Sequence, residues 1–151
     1  MKTIDDSKFI EVNKKLEEQL CIERKRWNSD LQELIQCLKN NHDLANAQVT
    51  QLSYRQMMVE SLTQYRILLE KKQEEFDKQK VSRFRDYSIS YDLKLTNPEK
   101  NQFSESDLSG IKFQVKILQT QIEYFSESIK LLDNFGFAVK NRLQIISEQL
   151  V

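Results

Sequence analysis

The chain has 151 residues, 39% hydrophobic and 30% charged, with only two glycines and one proline. So few turn formers exclude an all-β fold and the enzymes built on glycine-rich phosphate loops, and they favour a few long helices joined by few breaks. Basic and acidic side chains balance to a net charge of zero, so no global field draws the chain to nucleic acid or membrane, and any such binding rests on a local patch.

The spacing predicts a first helix from about Asp5 to Ser7 onward, with Phe9, Val12, Leu16, Leu20, Trp27, Leu31, Leu34 and Leu38 on one stripe that Arg24 interrupts. Met1 to Ile10 alternates charged and apolar residues, so no signal peptide is expected. No window approaches the roughly eighteen apolar residues of a membrane span, and the expectation is a soluble, cytoplasmic protein. Cys21 and Cys37 lie sixteen apart on this one helix, too far for a disulfide, and read as reduced residues. The run Asn40, Asn41, His42, Asp43 then predicts a helix end and a fresh start, giving a helical hairpin.

A second helix is expected from Leu44 to about Arg83, carrying Leu52, Met58, Val59, Leu62, Tyr65, Leu69 and Phe76. From Tyr87 to Leu95 residue types alternate with a period of two, the one strand signal in the chain. Thr96 to Asn101 reads as a turn or link, and Ser104 or Ser106 as the N-cap of a final helix, with Glu105 and Asp107 at its positive end.

In that final helix a three-and-four count from Leu108 runs through Leu118, Ile122, Phe125, Ile129, Leu132, Gly136, Val139, Leu143, Ile146 and Leu150. A second register holds Ile117, Tyr124, Leu131, Ala138 and Ile145. Two apolar seams need cover from two sides, by the chain's own helices, by other copies, or by both. The neutral flanks Gln114, Gln121 and Ser128 permit several neighbours per helix, so a higher homo-oligomer is expected. Gly136, costing about 1 kcal/mol in a helix interior, marks either a kink or a close approach.

No catalytic constellation is found, and no metal site or cofactor is expected. His42 has no ligand partner at metal spacing, the cysteines form no CxxC pattern, and the adjacent carboxylates sit on charged helix faces. The informative polar stretch is Lys71 to Arg85, where Lys71, Lys72, Lys78, Lys80, Arg83 and Arg85 outnumber three carboxylates. Phe84, Tyr87 and Tyr91 stand beside it, the combination that holds phosphates while stacking unpaired bases. A solvated, charged helix end has the same composition.

The ending carries a resemblance. Ile122, Glu123, Tyr124, Phe125, Ser126, then Ile129, and finally Gly136, Phe137, Ala138, Val139, Lys140 resemble, without a gap, the end of the UvsY family, recombination mediators of T-even bacteriophages. Lys80 to Tyr87 looks like that family's basic segment, where a Lys-x-Arg pair precedes Asp-Tyr. Two features depart from it: the strand-like run replaces a glycine-rich stretch, and Asn141 stands where the family has histidine. The resemblance implies a non-enzymatic accessory protein of DNA recombination and repair, acting in the infected host's cytoplasm. It implies a hexameric or heptameric ring, closed by the C-terminal helix, that binds single-stranded DNA and helps a RecA-like recombinase displace a single-strand-binding protein. Arg83 and Arg85 would take the Lys-x-Arg role, with Lys78 and Lys80 as neighbours, while Gly136, Phe137 and Ala138 would lie in the assembly helix.

The combined expectation is a mainly α, oligomeric assembly: a helical hairpin with a basic end over residues 1–85, a strand-like segment and linker over 86–103, and an oligomerisation helix over 104–151. Lys71, Lys72, Lys78, Lys80, Arg83, Arg85 and Tyr87 are its candidate DNA contacts. Leu118, Ile122, Phe125, Ile129, Leu132, Gly136, Phe137, Val139, Leu143 and Ile146 are its candidate assembly residues. The competing reading is a coiled-coil scaffold or tether that binds no nucleic acid.

Overall fold

A computed structural model describes residues 6–89 and 94–150. It is mainly α: helices α1 (Asp6–Lys39), α2 (Leu44–Ile89), α3 (Asn97–Asp107) and α4 (Ser109–Gln149), with no strand among the described residues. None of these helices is long and apolar enough to cross a membrane.

The expected break between the first two helices is present, and its geometry explains the residues found there. The N–H of His42 donates to the Cys37 carbonyl at 3.0 Å and that of Asn41 to the Leu38 carbonyl at 3.3 Å, the paired bonds of a Schellman ending. Asn41, at φ 49, occupies the left-handed position usually given to glycine. Asn41→Val should therefore lower unfolding free energy by about 1–2 kcal/mol in urea titration, while Asn41→Gly should leave it unchanged or raise it.

The expected strand is corrected where it is described. Tyr87, Ser88 and Ile89 continue α2, which runs past Arg83; Ser90 to Leu93 lie outside the described residues. Phe84 and Tyr87 are three apart, so they fit a helix face as well as Tyr87 and Ile89 fit alternation, and short apolar runs do not separate the two. The expected link over 96–101 is corrected too. Thr96 is extended and caps α3, its Oγ1 accepting from the Glu99 N–H at 3.4 Å, with Pro98 in the first turn. Ser104 is not an N-cap; it is buried in α3 and its hydroxyl donates to the Lys100 carbonyl at 2.7 Å.

Two compact units divide the chain, Met1–Glu18 with Arg66–Thr120 and Gln19–Tyr65 with Gln121–Val151. The second has one core, built by Trp27, Leu31 and Leu34 from α1, Leu44, Ala47, Met58 and Leu62 from α2, and Phe125, Leu132, Phe135 and Val139 from α4. Phe125, Leu132 and Val139, seven apart, are each 0% exposed. Burying such side chains fully contributes about 1.5–3 kcal/mol apiece. The Trp27 and Tyr54 rings meet edge to face at 5.3 Å, and Tyr65 stacks on Phe125 at 5.7 Å.

Polar side chains fix how these helices align. Arg24, the interruption in the first stripe, donates from Nη1 to Gln121 Oε1, and Gln121 Nε2 lies 3.3 Å from Glu23 Oε2. Tyr65 donates its hydroxyl to the same Glu23 carboxylate, while burial and that bond push the phenol well above its usual pKa. Gly136 is explained by close approach: a Cβ there would meet Gln51 at 3.1 Å, and Gln51 Nε2 donates to the Leu132 carbonyl at 3.0 Å. Arg55 pairs with Asp133 at 2.7 Å beside it.

The neutral flank of α4 thus has a cause inside the chain, because Gln114, Gln121 and Ser128 are all buried. The expected assembly residues lie as follows. Leu118, Phe125, Leu132 and Val139 are buried, and Ile122, Ile129, Leu143 and Ile146 are half-buried, the last four packed against the core just described. Gly136 faces Gln51, leaving Phe137 as the exposed member of the set, at 67%.

In the first unit Leu108, Ile111, Ile117 and Leu118 of the chain's α3–α4 stretch are buried together with Tyr87 of α2. Asn13 Nδ2 donates to the Gly110 carbonyl at 3.1 Å, and a Cβ on Gly110 would meet the Phe9 ring at 3.0 Å. This packing fixes the start of α4, next to which α3 meets the basic end of α2.

Candidate nucleic-acid interface

The last third of α2 belongs wholly to the first unit, and its cations separate by helical angle. Lys71, Lys78 and Arg85 recur every seven residues, are exposed, and bond to no other side chain of the described residues. At 1.5 Å per residue they form an outward row with about 10 Å between members. Lys72 and Lys80 are engaged within the chain, Lys72 with Glu75 at 3.3 Å and Lys80 with Glu105 at 3.0 Å. Arg83 is half-buried on the inward side.

Tyr87 has its ring covered within the chain in this arrangement. It is buried, its hydroxyl donates to Asp107 Oδ2 at 2.6 Å, and its ring lies 5.7 Å from that of Phe103. Phe84 carries the Lys100 ammonium 5.6 Å from its ring centre. Tyr91 lies outside the described residues.

Four residues that sequence reading left out of the site therefore stand at its centre: Lys100, Phe103, Glu105 and Asp107, all on α3. Glu105 and Asp107 were expected to favour a helix N-terminus; they instead meet Lys80 and Tyr87 from the last turn of α3. The signal that would have placed them is Thr96-Asn97-Pro98-Glu99, a capping box with proline just inside the helix. The hydrogen bond from Lys80 holds the Glu105 carboxyl below its usual pKa, with the Lys80 and Lys112 charges acting the same way. A depressed carboxylate keeps its bond above the ordinary value and loses it as pH falls through the lowered one, so the α3 contact is complete at neutral pH.

Little holds α3 down. It has 11 residues, below the roughly 12–15 at which an isolated helix becomes even marginal, and Ser104 is its buried residue. The Lys80–Glu105 pair is partly exposed on both sides and so is screened by solvent, and a surface cation–π contact contributes about 0.5–1 kcal/mol.

A cavity of about 360 Å³ opens beside this contact, lined by Gln73, Phe76, Asp77, Glu105, Lys112 and Val115. Among the described residues no group of three or more His, Cys, Asp or Glu side chains is placed to hold a metal ion. The end of α2 thus carries an exposed cation row on one side and a covered basic and aromatic face on the other. Comparisons with protein-family models, with curated proteins and with solved structures find no match to this chain.

Proposed function

We propose that this protein is a recombination mediator of the UvsY type, a non-enzymatic homo-oligomer that holds single-stranded DNA and helps a RecA-like recombinase replace a single-strand-binding protein. The observation that carries the reading is the outward row Lys71, Lys78 and Arg85, on one helix face and with no side-chain partner among the described residues, in a chain whose ending resembles that family. Cations left without internal partners are suited to phosphates, and repeating a short row in several copies links weak sites into a strong one. Copies would meet through apolar positions that the chain leaves uncovered on α4, among them Leu131, Phe137 and Ile145. The energy for strand exchange would come from the recombinase.

The engaged lysines favour a second reading. Lys72 and Lys80 are both paired within the chain, as they would be in a coiled-coil scaffold with a merely solvated end. Fluorescence anisotropy with labelled single-stranded DNA over a salt series separates the two. On the DNA reading, Lys71→Ala, Lys78→Ala and Arg85→Ala together lower affinity at least about tenfold at low salt. They also flatten the log affinity versus log salt slope by about 2, at about 0.7 per lost phosphate contact. Absence of binding at low salt leaves the scaffold, and binding with an unchanged slope puts the DNA elsewhere than on the outward row.

A further inference from the structure

The inward face of α2 has a composition that its present neighbours do not use as a solvated helix end would. Lys80, Arg83, Phe84 and Tyr87 stand at spacings of three, four and seven, so one face carries two cations and two aromatic rings. Such a face suits single-stranded nucleic acid, in which phosphates take the cations and splayed bases take the rings. Three of its four residues are occupied by α3: Lys80 by the Glu105 carboxylate, Phe84 by the Lys100 ammonium, and Tyr87 by the Asp107 carboxylate and the Phe103 ring. The α3 partners include the same kinds of group a strand would bring, an anion for the lysine and a planar ring for the tyrosine.

We propose that α3 is an exchangeable cover, occupying with Glu105, Asp107 and Phe103 a second single-stranded-DNA site on the inward face of α2, so that DNA and α3 compete for Lys80, Phe84 and Tyr87. This rests on the DNA reading above and adds to it a buried site and its control. The outward row makes first contact with the strand. Displacement of α3 then adds the inward cation and rings, and tight binding is coupled to a change of shape. The length of α3 and the partial exposure of its Lys80–Glu105 contact suit a segment that leaves readily.

The test uses the full chain and a labelled oligothymidine, read by anisotropy, with four proteins compared. Glu105→Gln with Asp107→Asn weakens the cover and removes two negative charges. Phe103→Ala weakens it with no change of charge, and Phe103 is exposed enough at 46% that the fold should tolerate the loss. Glu11→Gln with Glu17→Gln removes two charges from exposed carboxylates of α1 that bond to no described residue of α2 or α3. The wild type is the reference.

The cover predicts that both cover variants bind about tenfold more tightly than wild type, and that the charge control changes by no more than about twofold. It also predicts that amides of residues 97–107 exchange faster when wild type is saturated with oligothymidine. Wild-type binding with cover variants no tighter than the control, or with unchanged or increased protection over 97–107, overturns the cover and leaves the outward-row reading standing. No binding by any of the four proteins overturns both.

Discussion

Leu132→Asp is expected to unfold the core of the Gln19–Tyr65 and Gln121–Val151 unit. The side chain is 0% exposed and sits among residues of α1, α2 and α4 of one chain. Truncating a buried leucine costs about 2–5 kcal/mol, and placing an unpaired carboxylate in the same space adds several more. That sum matches the whole stability of an ordinary domain, about 5–15 kcal/mol. Circular dichroism should show loss of helix at ambient temperature, with fast amide exchange throughout the unit. The contrast is Phe137→Asp. Phe137 is five residues further along α4, on another face of the helix and 67% exposed, so this change should leave helix content intact and stability within about 0.5 kcal/mol of wild type. If copies associate through the uncovered side of α4, light scattering should show a lower mass for Phe137→Asp. A folded Leu132→Asp protein of reduced mass would mean that the seam is an interface between copies and not a core.

That contrast shows how far periodicity reaches. The apolar repeat of α4 is legible because spacing alone determines which residues share a helix face. What covers the face is set by the other helices, and spacing is silent about their origin. Gln114, Gln121 and Ser128 illustrate this: neutral residues at seven-residue spacing fit any crowded surroundings, and here they are buried within the folded chain. Gly136 was legible as a site of close approach, but the visitor is a glutamine side chain, which no helix–helix pattern identifies. Arg24 looked like a flaw in a stripe because its value depends on Gln121, ninety-seven positions away.

The basic segment divides in the same manner. Its charge was legible, and so was the seven-residue recurrence of Lys71, Lys78 and Arg85. The cover on Tyr87 is not legible because it comes from α3, and Asn97-Pro98 reads as a turn until the cap before it is recognised. Proline in the first turn of a helix fits without losing a bond, and the Thr96 cap and Glu99 complete that start. One proline therefore hides a helix, the places of two carboxylates and the cover of an aromatic ring.

The polar cluster around Gln121 should show a marked asymmetry between single and double substitutions. Gln121 is fully buried, and its amide joins Arg24 and Glu23 of α1, while Glu23 also receives the Tyr65 hydroxyl from α2. Gln121→Leu leaves the Arg24 guanidinium and the Glu23 carboxylate without their shared partner in partly buried positions, and should cost about 2–4 kcal/mol in urea unfolding. Removing both sides is expected to cost less: Gln121→Leu with Arg24→Met replaces the bonded pair by apolar surface of similar size and should recover most of the loss. The recovery is a coupling energy, read from the cycle of single and double variants, and a value of about 1–3 kcal/mol is expected for groups in direct contact. Tyr65 gives the cluster a pH signature as well. Its folded pKa lies above the ordinary tyrosine value of 10.0, so its contribution is complete below that value and is lost as pH rises through the folded pKa. Wild-type stability should therefore fall more steeply above pH 10 than that of Tyr65→Phe, which lacks the ionisable hydroxyl. Additive single effects, or parallel pH profiles for the two proteins, would show that these side chains meet without depending on one another.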